Sequence, residues 1–136
     1  PVSSSKGHKL MHDHPYAEAR FAQARQNITL LRDILAQGNL DEFCKLVESE
    51  ALALHAMMLT SNPYYILMRP NTLSAIERIW YFRASTATPV CFTLDAGANI
   101  HLLYPEAYKK QVHTFIESQL KPLCQDGDIL YDQVGI

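Results

Sequence analysis

An acidic residue, Asp95, stands directly after an apolar run in the stretch CFTLDAGANIHLLYP. A carboxylate at the end of a buried strand can orient a substrate hydroxyl or accept its proton. An aspartate that opens a turn also commonly hydrogen-bonds its own backbone two residues further on. Gly97 and Asn99 are typical of a tight turn because both residue types tolerate positive φ angles. The residues alone leave a turn role and a catalytic role open for Asp95.

Hydroxyl groups are concentrated near the beginning of the sequence, in the stretch VSSSKG. Ser3, Ser4 and Ser5, followed by Lys6 and Gly7, are residue types that bind phosphate oxygens. Their spacing is not that of a Walker loop, GxxxxGK[ST]. Serine-rich segments are also typical of flexible linkers. A phosphate site and a linker are therefore both compatible with this segment.

Histidines occur at three positions in the stretch HKLMHDH: His8, His12 and His14. The i, i+4 spacing of the first two is compatible with a metal site on a helix. No cysteine or acid cluster accompanies them, so we predict no metal centre. His55 lies beside an apolar helix face and is interpreted as a buried, hydrogen-bonded histidine. Glu50 lies on an apolar stripe, where a carboxylate requires a partner.

Composition restricts the class of protein. The chain has 136 residues, 48% of them hydrophobic, which suffices for one domain with a core. The formal net charge of −2 argues against a nucleic-acid partner. No apolar run reaches membrane length, and nothing resembles a signal peptide. Cys44, Cys91 and Cys124 lack paired spacing, so we expect free thiols and a cytoplasmic location, with Cys91 buried and inert.

The periodicity of apolar residues predicts helices first, then a strand hairpin, a helix and a strand. We expect residues 1–15 to form a short extended segment and a loop. A helix over about Tyr16–Gln37 should bury one apolar stripe, composed of Phe21, Ala24, Ile28, Leu31 and Leu35. The other predicted helices are about Leu40–Leu59, one from Pro70 and one from Pro105 to Leu120; the predicted strands are Val90–Leu94, Ile100–Tyr104 and Asp128–Ile136. This order is α+β and favours a ferredoxin-like sandwich, with an antiparallel sheet and helices on one face.

Four stretches, in this order, resemble the C-terminal domain of diphosphomevalonate decarboxylases, members of the GHMP kinase superfamily. VSSSKGH is similar to the family's Val-Ser-Ser-x-x-Gly-Met segment, and ESEALALHAMMLTSNP to its second-helix pattern. YYILMRPNTLSAIERI is similar to the segment leading into its third helix. FTLDAGANIHLLY is similar to its Thr-x-Asp-Ala-Gly-Pro-Asn-x motif, and related small-molecule kinases carry a glycine-rich loop there instead. Ala98 replaces the family's proline, and His8 its methionine.

The resemblance implies an ATP-dependent decarboxylase that converts mevalonate 5-diphosphate to isopentenyl diphosphate, carbon dioxide, ADP and phosphate. It implies that Asp95 orients and deprotonates the C3 hydroxyl of the substrate. It also implies that the substrate contacts the turn and the N-terminal serines, a set comprising Ala96, Gly97, Ala98, Asn99, Ser3, Ser4 and Ser5.

The resemblance covers nearly the whole chain and implies that residues 1–136 form one domain. It also implies that ATP and Mg²⁺ bind mainly to an N-terminal nucleotide-binding domain absent from this sequence. We therefore expect the isolated chain to be inactive and the full-length protein to be a homodimer. Two alternatives stay open. One is another GHMP small-molecule kinase of the mevalonate type. The other is a stand-alone ferredoxin-like binding or regulatory module, since a fold alone does not determine function.

Overall fold

The computed structural model of the chain describes residues 4–134, and of Ser4 and His8 it describes only the backbone. The α-helices are α1 (Ser4–His12), α2 (Ala17–Gln37), α3 (Leu40–Leu59), α4 (Pro70–Thr86) and α5 (Lys109–Phe115). A 3₁₀ turn, Glu106–Tyr108, leads into α5, and a π-helical turn, Ile116–Leu120, continues it. Two short 3₁₀ turns follow, Lys121–Leu123 and Gln125–Gly127.

The described sheet has two strands, β1 (Cys91–Leu94) and β2 (Ile100–Leu103). They pair antiparallel, from Cys91 opposite Leu103 to Leu94 opposite Ile100. This confirms the predicted hairpin and the α+β class with an antiparallel sheet.

Local signals determine the ends of the long helices. Gly38 ends α2 in the left-handed conformation, with φ of 67°, and its N–H donates to the Ile34 and Leu35 carbonyl oxygens. Asn39 then caps α3, because its side chain accepts a hydrogen bond from the Glu42 N–H at 3.2 Å. Pro70 is the first residue of α4, where its missing N–H costs nothing. These predicted boundaries are confirmed.

The prediction of an extended segment and a loop is wrong for Ser4–His12, which form α1. Gly7 lowers helix propensity by about 1 kcal/mol relative to alanine, so the local sequence does not favour a helix. α1 nevertheless packs on α3, and a β-carbon added at Gly7 would lie 3.9 Å from the Met58 Cε atom. Tertiary contact outweighs local propensity here.

The predicted buried stripe of α2 is only partly present. Phe21, Ala24 and Leu31 are half-buried, but Ile28 is 56% exposed and Leu35 is 61% exposed. α2 packs along α3, and within residues 4–134 that packing does not cover these two side chains.

The predicted last strand is also wrong over the described residues, since Asp128–Val134 contain no strand. Ile129 packs against the core, whereas Leu130 is 98% exposed and Val134 is 97% exposed. A strand exists only when another strand accepts its backbone hydrogen bonds, and within residues 4–134 none lies beside this segment.

The hydrophobic core lies between α3, α4, β1 and the helix that begins with α5. Phe92, Ile79 and Val112 are fully buried at its centre. No helix in residues 4–134 is both long and apolar enough to cross a membrane.

Helix α3 runs beside β1 in the same direction. Cys44 contacts Cys91, and that thiol hydrogen bond lowers the pKa of Cys44 and, together with burial, raises the pKa of Cys91. Further along, Glu48 accepts a hydrogen bond from the Phe92 N–H at 3.3 Å. That N–H points away from β2, so α3 covers the outer edge of β1. Cys91 is buried, as expected from the sequence.

Candidate functional site

Asp95 is the first residue after β1, and its side chain is 43% exposed. Its Oδ2 atom accepts a hydrogen bond from the Asn99 side-chain amide at 3.2 Å. The His101 Nε2 atom, on β2, lies 3.8 Å from the same oxygen. The other oxygen, Oδ1, lies over Gly97. The carboxylate is thus held through Oδ2, and no described residue donates a hydrogen bond to Oδ1.

The predicted reason for glycine in this turn is wrong. Gly97 and Asn99 do not adopt positive φ; the described residues that do are Gly38, Ala87, Asp126 and Gly127. Five residues connect Leu94 to Ile100, the last pair of the hairpin. A loop of this length does not need the left-handed conformations that a two-residue turn requires. A β-carbon at position 97 would instead lie 3.2 Å from the Asp95 Oδ1 atom. Glycine therefore leaves space for the carboxylate oxygen.

Two buried side chains hold the backbone of this turn. The His55 Nε2 atom lies 2.9 Å from the Asp95 carbonyl oxygen, so this nitrogen carries the proton and donates it. The Thr72 hydroxyl donates to the Ala98 carbonyl oxygen at 3.1 Å and accepts from the Arg69 N–H at 3.1 Å. α3 thus fixes the start of the turn, and the first turn of α4 fixes its end.

His55 is 2% exposed and hydrogen-bonded, as interpreted from the sequence. Its contact with the Asp95 backbone was not predicted, nor was the role of Thr72. The only sequence signal for Thr72 is its position in the first turn of a helix that begins at Pro70, where a hydroxyl commonly bonds a free backbone N–H. Its second bond, to Ala98, joins positions 26 apart and has no local signal.

A buried carboxylate, Glu48, holds β1 in place. Its oxygens accept hydrogen bonds from the Trp80 Nε1 atom at 2.9 Å and from the Arg83 Nη1 and Nη2 atoms at 2.5 and 3.0 Å. The Arg83 Nη1 atom also donates to the Val90 carbonyl oxygen at 3.0 Å. The hydrogen bond to Glu48 is the main cause that raises the pKa of Arg83. We call this group the Glu48 cluster (Glu48, Trp80, Arg83 and the Phe92 N–H). It was not predicted from the sequence, where Glu50 was the candidate for a buried carboxylate.

Glu50 does have the partners that its position required. Arg20 forms a bidentate ion pair with it, and the Asn27 side-chain amide donates to its Oε1 atom. Burial acts to raise the pKa of Glu50, but the hydrogen bonds and the charge of Arg20 outweigh burial and lower it. This carboxylate joins α2 to α3 and does not contact the Asp95 turn.

The serine and histidine positions near the beginning of the chain are only partly described. Ser3 lies outside the described residues, Ser4 is described by its backbone alone, and Ser5 is exposed on α1. His14 is buried; its Nδ1 atom accepts from the Tyr16 N–H at 3.0 Å, and its Nε2 atom lies 2.7 Å from the Thr60 Oγ1 atom. Because Nδ1 accepts, Nε2 is the nitrogen that donates to the Thr60 hydroxyl. Both ring nitrogens are therefore used within the fold.

Residues 2–133 match the family described as the mevalonate 5-diphosphate decarboxylase C-terminal domain. A phosphomevalonate decarboxylase from Haloferax volcanii is 26% identical over 109 residues, which cover 80% of this chain and 34% of that protein. The mevalonate pyrophosphate decarboxylase structure from Streptococcus pyogenes is 27% identical, with a TM-score of 0.83, over 88% of this chain and 38% of that one. A complex of MDDEF with MVAPP, AMPPCP and magnesium is 21% identical, with a TM-score of 0.81, over 87% of this chain and 36% of that one. The chain thus spans about a third of the length of the relatives it matches.

Proposed function

The chain belongs to the mevalonate 5-diphosphate decarboxylase C-terminal domain family, and on that premise we propose that it is part of an enzyme that decarboxylates mevalonate 5-diphosphate with ATP. The products are isopentenyl diphosphate, carbon dioxide, ADP and phosphate. Residues 1–136 form the C-terminal-type domain of this enzyme. The observation that carries the proposal is the arrangement of Asp95, in which Oδ2 is held and Oδ1 is open.

Asp95 acts on the C3 hydroxyl of the substrate. A tertiary alcohol is a crowded nucleophile, so its orientation toward the γ-phosphoryl group limits the reaction. Asp95 Oδ1 accepts the hydroxyl proton while the oxygen forms its bond to phosphorus. The phosphate then leaves C3, and the neighbouring carboxylate leaves as carbon dioxide. The electron pair of the broken carbon–carboxylate bond forms the new carbon–carbon double bond.

The other residues of the turn give the substrate access to Asp95. Gly97 has no side chain to crowd Oδ1, and the Asn99 amide bonds the other oxygen, Oδ2. By similarity to the family, the substrate also contacts Ala96, Ala98 and Asn99. Ser3, Ser4 and Ser5 bind phosphate oxygens in this proposal, which rests on the similarity of their segment to the family. Alanine at all three positions should raise KM for the substrate several-fold with kcat little changed.

ATP and Mg²⁺ are the co-substrate and metal of the proposed reaction. The similarity to a fold whose complex holds MVAPP, AMPPCP and magnesium supports this assignment. Within the described residues no group of three or more His, Cys, Asp or Glu side chains could hold a metal ion, so we assign no magnesium ligand to them. We propose that both bind mainly to parts of the longer protein, where Mg²⁺ neutralises the charge of the phosphates. The isolated 136-residue chain should accordingly show no ATP turnover.

The test is carbon dioxide release by the full-length protein from carboxyl-labelled mevalonate 5-diphosphate. Asp95→Asn should lower kcat by about 10²–10⁴-fold, the usual contribution of a general base, with nucleotide binding unchanged. Asp41→Asn is the matched control, because Asp41 is exposed in the first turn of α3. Activity within a few-fold of wild type in Asp95→Asn would refute the role of Asp95. A stable phosphorylated product without carbon dioxide would instead indicate a small-molecule kinase.

A second candidate substrate is mevalonate 5-phosphate. The match to the phosphomevalonate decarboxylase of Haloferax volcanii favours it, and the chemistry at C3 is the same. The two substrates differ only in the phosphates distant from C3. A comparison of kcat/KM for the monophosphate and the diphosphate decides between them.

Homodimer formation, a cytoplasmic location and the absence of nucleic-acid and membrane partners are further proposals. Light scattering of the full-length protein measures the first. Cell fractionation, with nucleic-acid and vesicle binding assays, measures the others.

A further inference from the structure

We propose that His101 is a positioning residue for Asp95, an inference that rests on the function proposed above. The imidazole of His101 lies next to Asp95 Oδ2, and when it is protonated its charge favours the ionised carboxylate beside an anionic substrate. No sequence pattern predicts a role for His101. In this proposal His101 acts through Asp95 and not directly on the substrate.

The register of the hairpin brings the two side chains together. Thr93 is opposite His101, and Leu94 is opposite Ile100. Asp95 is thus a diagonal neighbour of His101 across the two strands, a separation that a long side chain can bridge. The His101 Nε2 atom lies 3.8 Å from Asp95 Oδ2, within the range of an ion pair.

The two carboxylate oxygens of Asp95 have different contacts. Oδ2 receives the Asn99 amide at 3.2 Å and faces His101, and Oδ1 stays open over Gly97. His55 holds the Asp95 backbone, so the carboxylate cannot move far to meet the imidazole. A charge on His101 therefore acts on the base without occupying the oxygen that accepts the substrate proton.

The charge requirement follows from the proposed substrate. The carboxylate and phosphates of the substrate and the phosphates of ATP are all negatively charged. Like charges favour the protonated form of a nearby carboxyl group. An imidazolium next to Oδ2 opposes this effect. Asp95 is the only ion-pair partner of His101 within residues 4–134. The other titratable or charged residues that hold the turn are His55 on α3, which bonds the Asp95 backbone, and Arg69 at the start of α4, whose N–H bonds Thr72.

The effect should depend on pH with a definite sign. Histidine changes its charge between about pH 5 and 8. The stabilisation of the Asp95 carboxylate by His101 is therefore present at low pH and is lost as the pH rises. Both side chains are about half exposed, at 57% and 43%, and solvent screens such pairs. We therefore expect an effect of about fivefold or less, the upper range for exposed ion pairs.

The experiment measures kcat and KM of the full-length protein across this pH range. His101→Gln keeps an amide donor but has no charge; its kcat should be about three- to fivefold below wild type near pH 6 and close to wild type near pH 8.5, with KM unchanged. His101→Lys carries a permanent charge and should restore kcat near pH 6. His113→Gln is the matched control, because His113 contacts Tyr104 and Tyr131 and not Asp95. A wild-type to His101→Gln ratio that does not change with pH would overturn the proposal.

A second measurement separates this proposal from the proposed function. In nitrogen-15 NMR of the full-length protein, Asp95→Asn should shift the side-chain signals of His101 and leave those of His113 unchanged. Unchanged His101 signals would overturn the pairing whatever the activity. Shifted His101 signals in a protein that releases no carbon dioxide would refute the proposed function and the catalytic use of the pair, while the contact itself stands.

Discussion

Glu48→Ala should destabilise the protein severely, because Glu48 is the common acceptor of the Glu48 cluster. Its side chain is 7% exposed, and it receives the Trp80 Nε1–H, two Arg83 N–H groups and the Phe92 backbone N–H. The alanine variant leaves these donors without their acceptor. Phe92 is fully buried, so water does not replace the carboxylate at its N–H.

The size of the effect follows from the partners that remain. Removing one member of a buried ion pair costs about 3–5 kcal/mol, and each unsatisfied buried donor costs about 1–3 kcal/mol. The Arg83 side chain is 28% exposed and regains part of its hydration by rotating outward. We therefore expect a loss of about 3–5 kcal/mol in total. With an m-value of about 2 kcal/mol per molar urea, the unfolding midpoint of this domain falls by about 2 M.

The assay is urea unfolding of the full-length protein, followed by hydrogen exchange of peptides from residues 4–134, so that the signal reports this domain. Glu48→Gln keeps one acceptor oxygen and should cost about half as much. Glu42→Ala is the control, because its ion pair with Lys45 is exposed and contributes about 0.5 kcal/mol or less.

Arg83→Met combined with Glu48→Leu tests whether the ion pair causes the loss. The double variant removes both charges, so it should be more stable than the sum of the two single changes predicts. Additive losses, or a Glu48→Ala cost below about 1 kcal/mol, would refute the assigned role of this carboxylate.

Three further changes test the turn and the α2–α3 contact. Gly97→Ala should lower kcat about tenfold by displacing Asp95 Oδ1, with an unchanged urea midpoint, because residue 97 is not in the left-handed region; an unchanged kcat would contradict this role of glycine. Thr72→Val should cost about 1–3 kcal/mol in urea unfolding and lower kcat, since the Ala98 carbonyl loses its donor; a loss of stability alone would make Thr72 purely structural. Glu50→Gln should be less stable than wild type above pH 4.5, the ordinary glutamate pKa, because only the ionised group pairs with Arg20. The difference in stability should disappear as the pH falls through the lowered pKa of Glu50. A difference in thermal unfolding that persists at low pH would contradict this role of the ion pair.

Features with a local cause could be predicted from the sequence. Gly38 and Asn39 terminate and cap adjacent helices through bonds within four residues, and Pro70 opens a helix by itself. The hairpin that carries Asp95 was predictable because two apolar runs flank one short polar interruption. The position of the candidate base therefore followed from the sequence.

Features with a distant cause could not be predicted. α1 forms where local propensity is weak, because it packs on α3. Glu48 was missed because its partners are 32 to 44 positions away. The last strand was predicted from its composition alone, but a strand also needs a neighbour, and composition says nothing about one.

The covered edge of β1 has a consequence for assembly. Exposed strand edges are where sheets add further strands, in proper folding and in aggregation alike. On β1 this route is closed, because the Phe92 N–H already donates to Glu48 and α3 lies along the strand. Within residues 4–134 no strand pairs with the other edge of β2, so a further strand can be added only at that edge. Glu48 and α3 together thus restrict the addition of further strands to the free edge of β2.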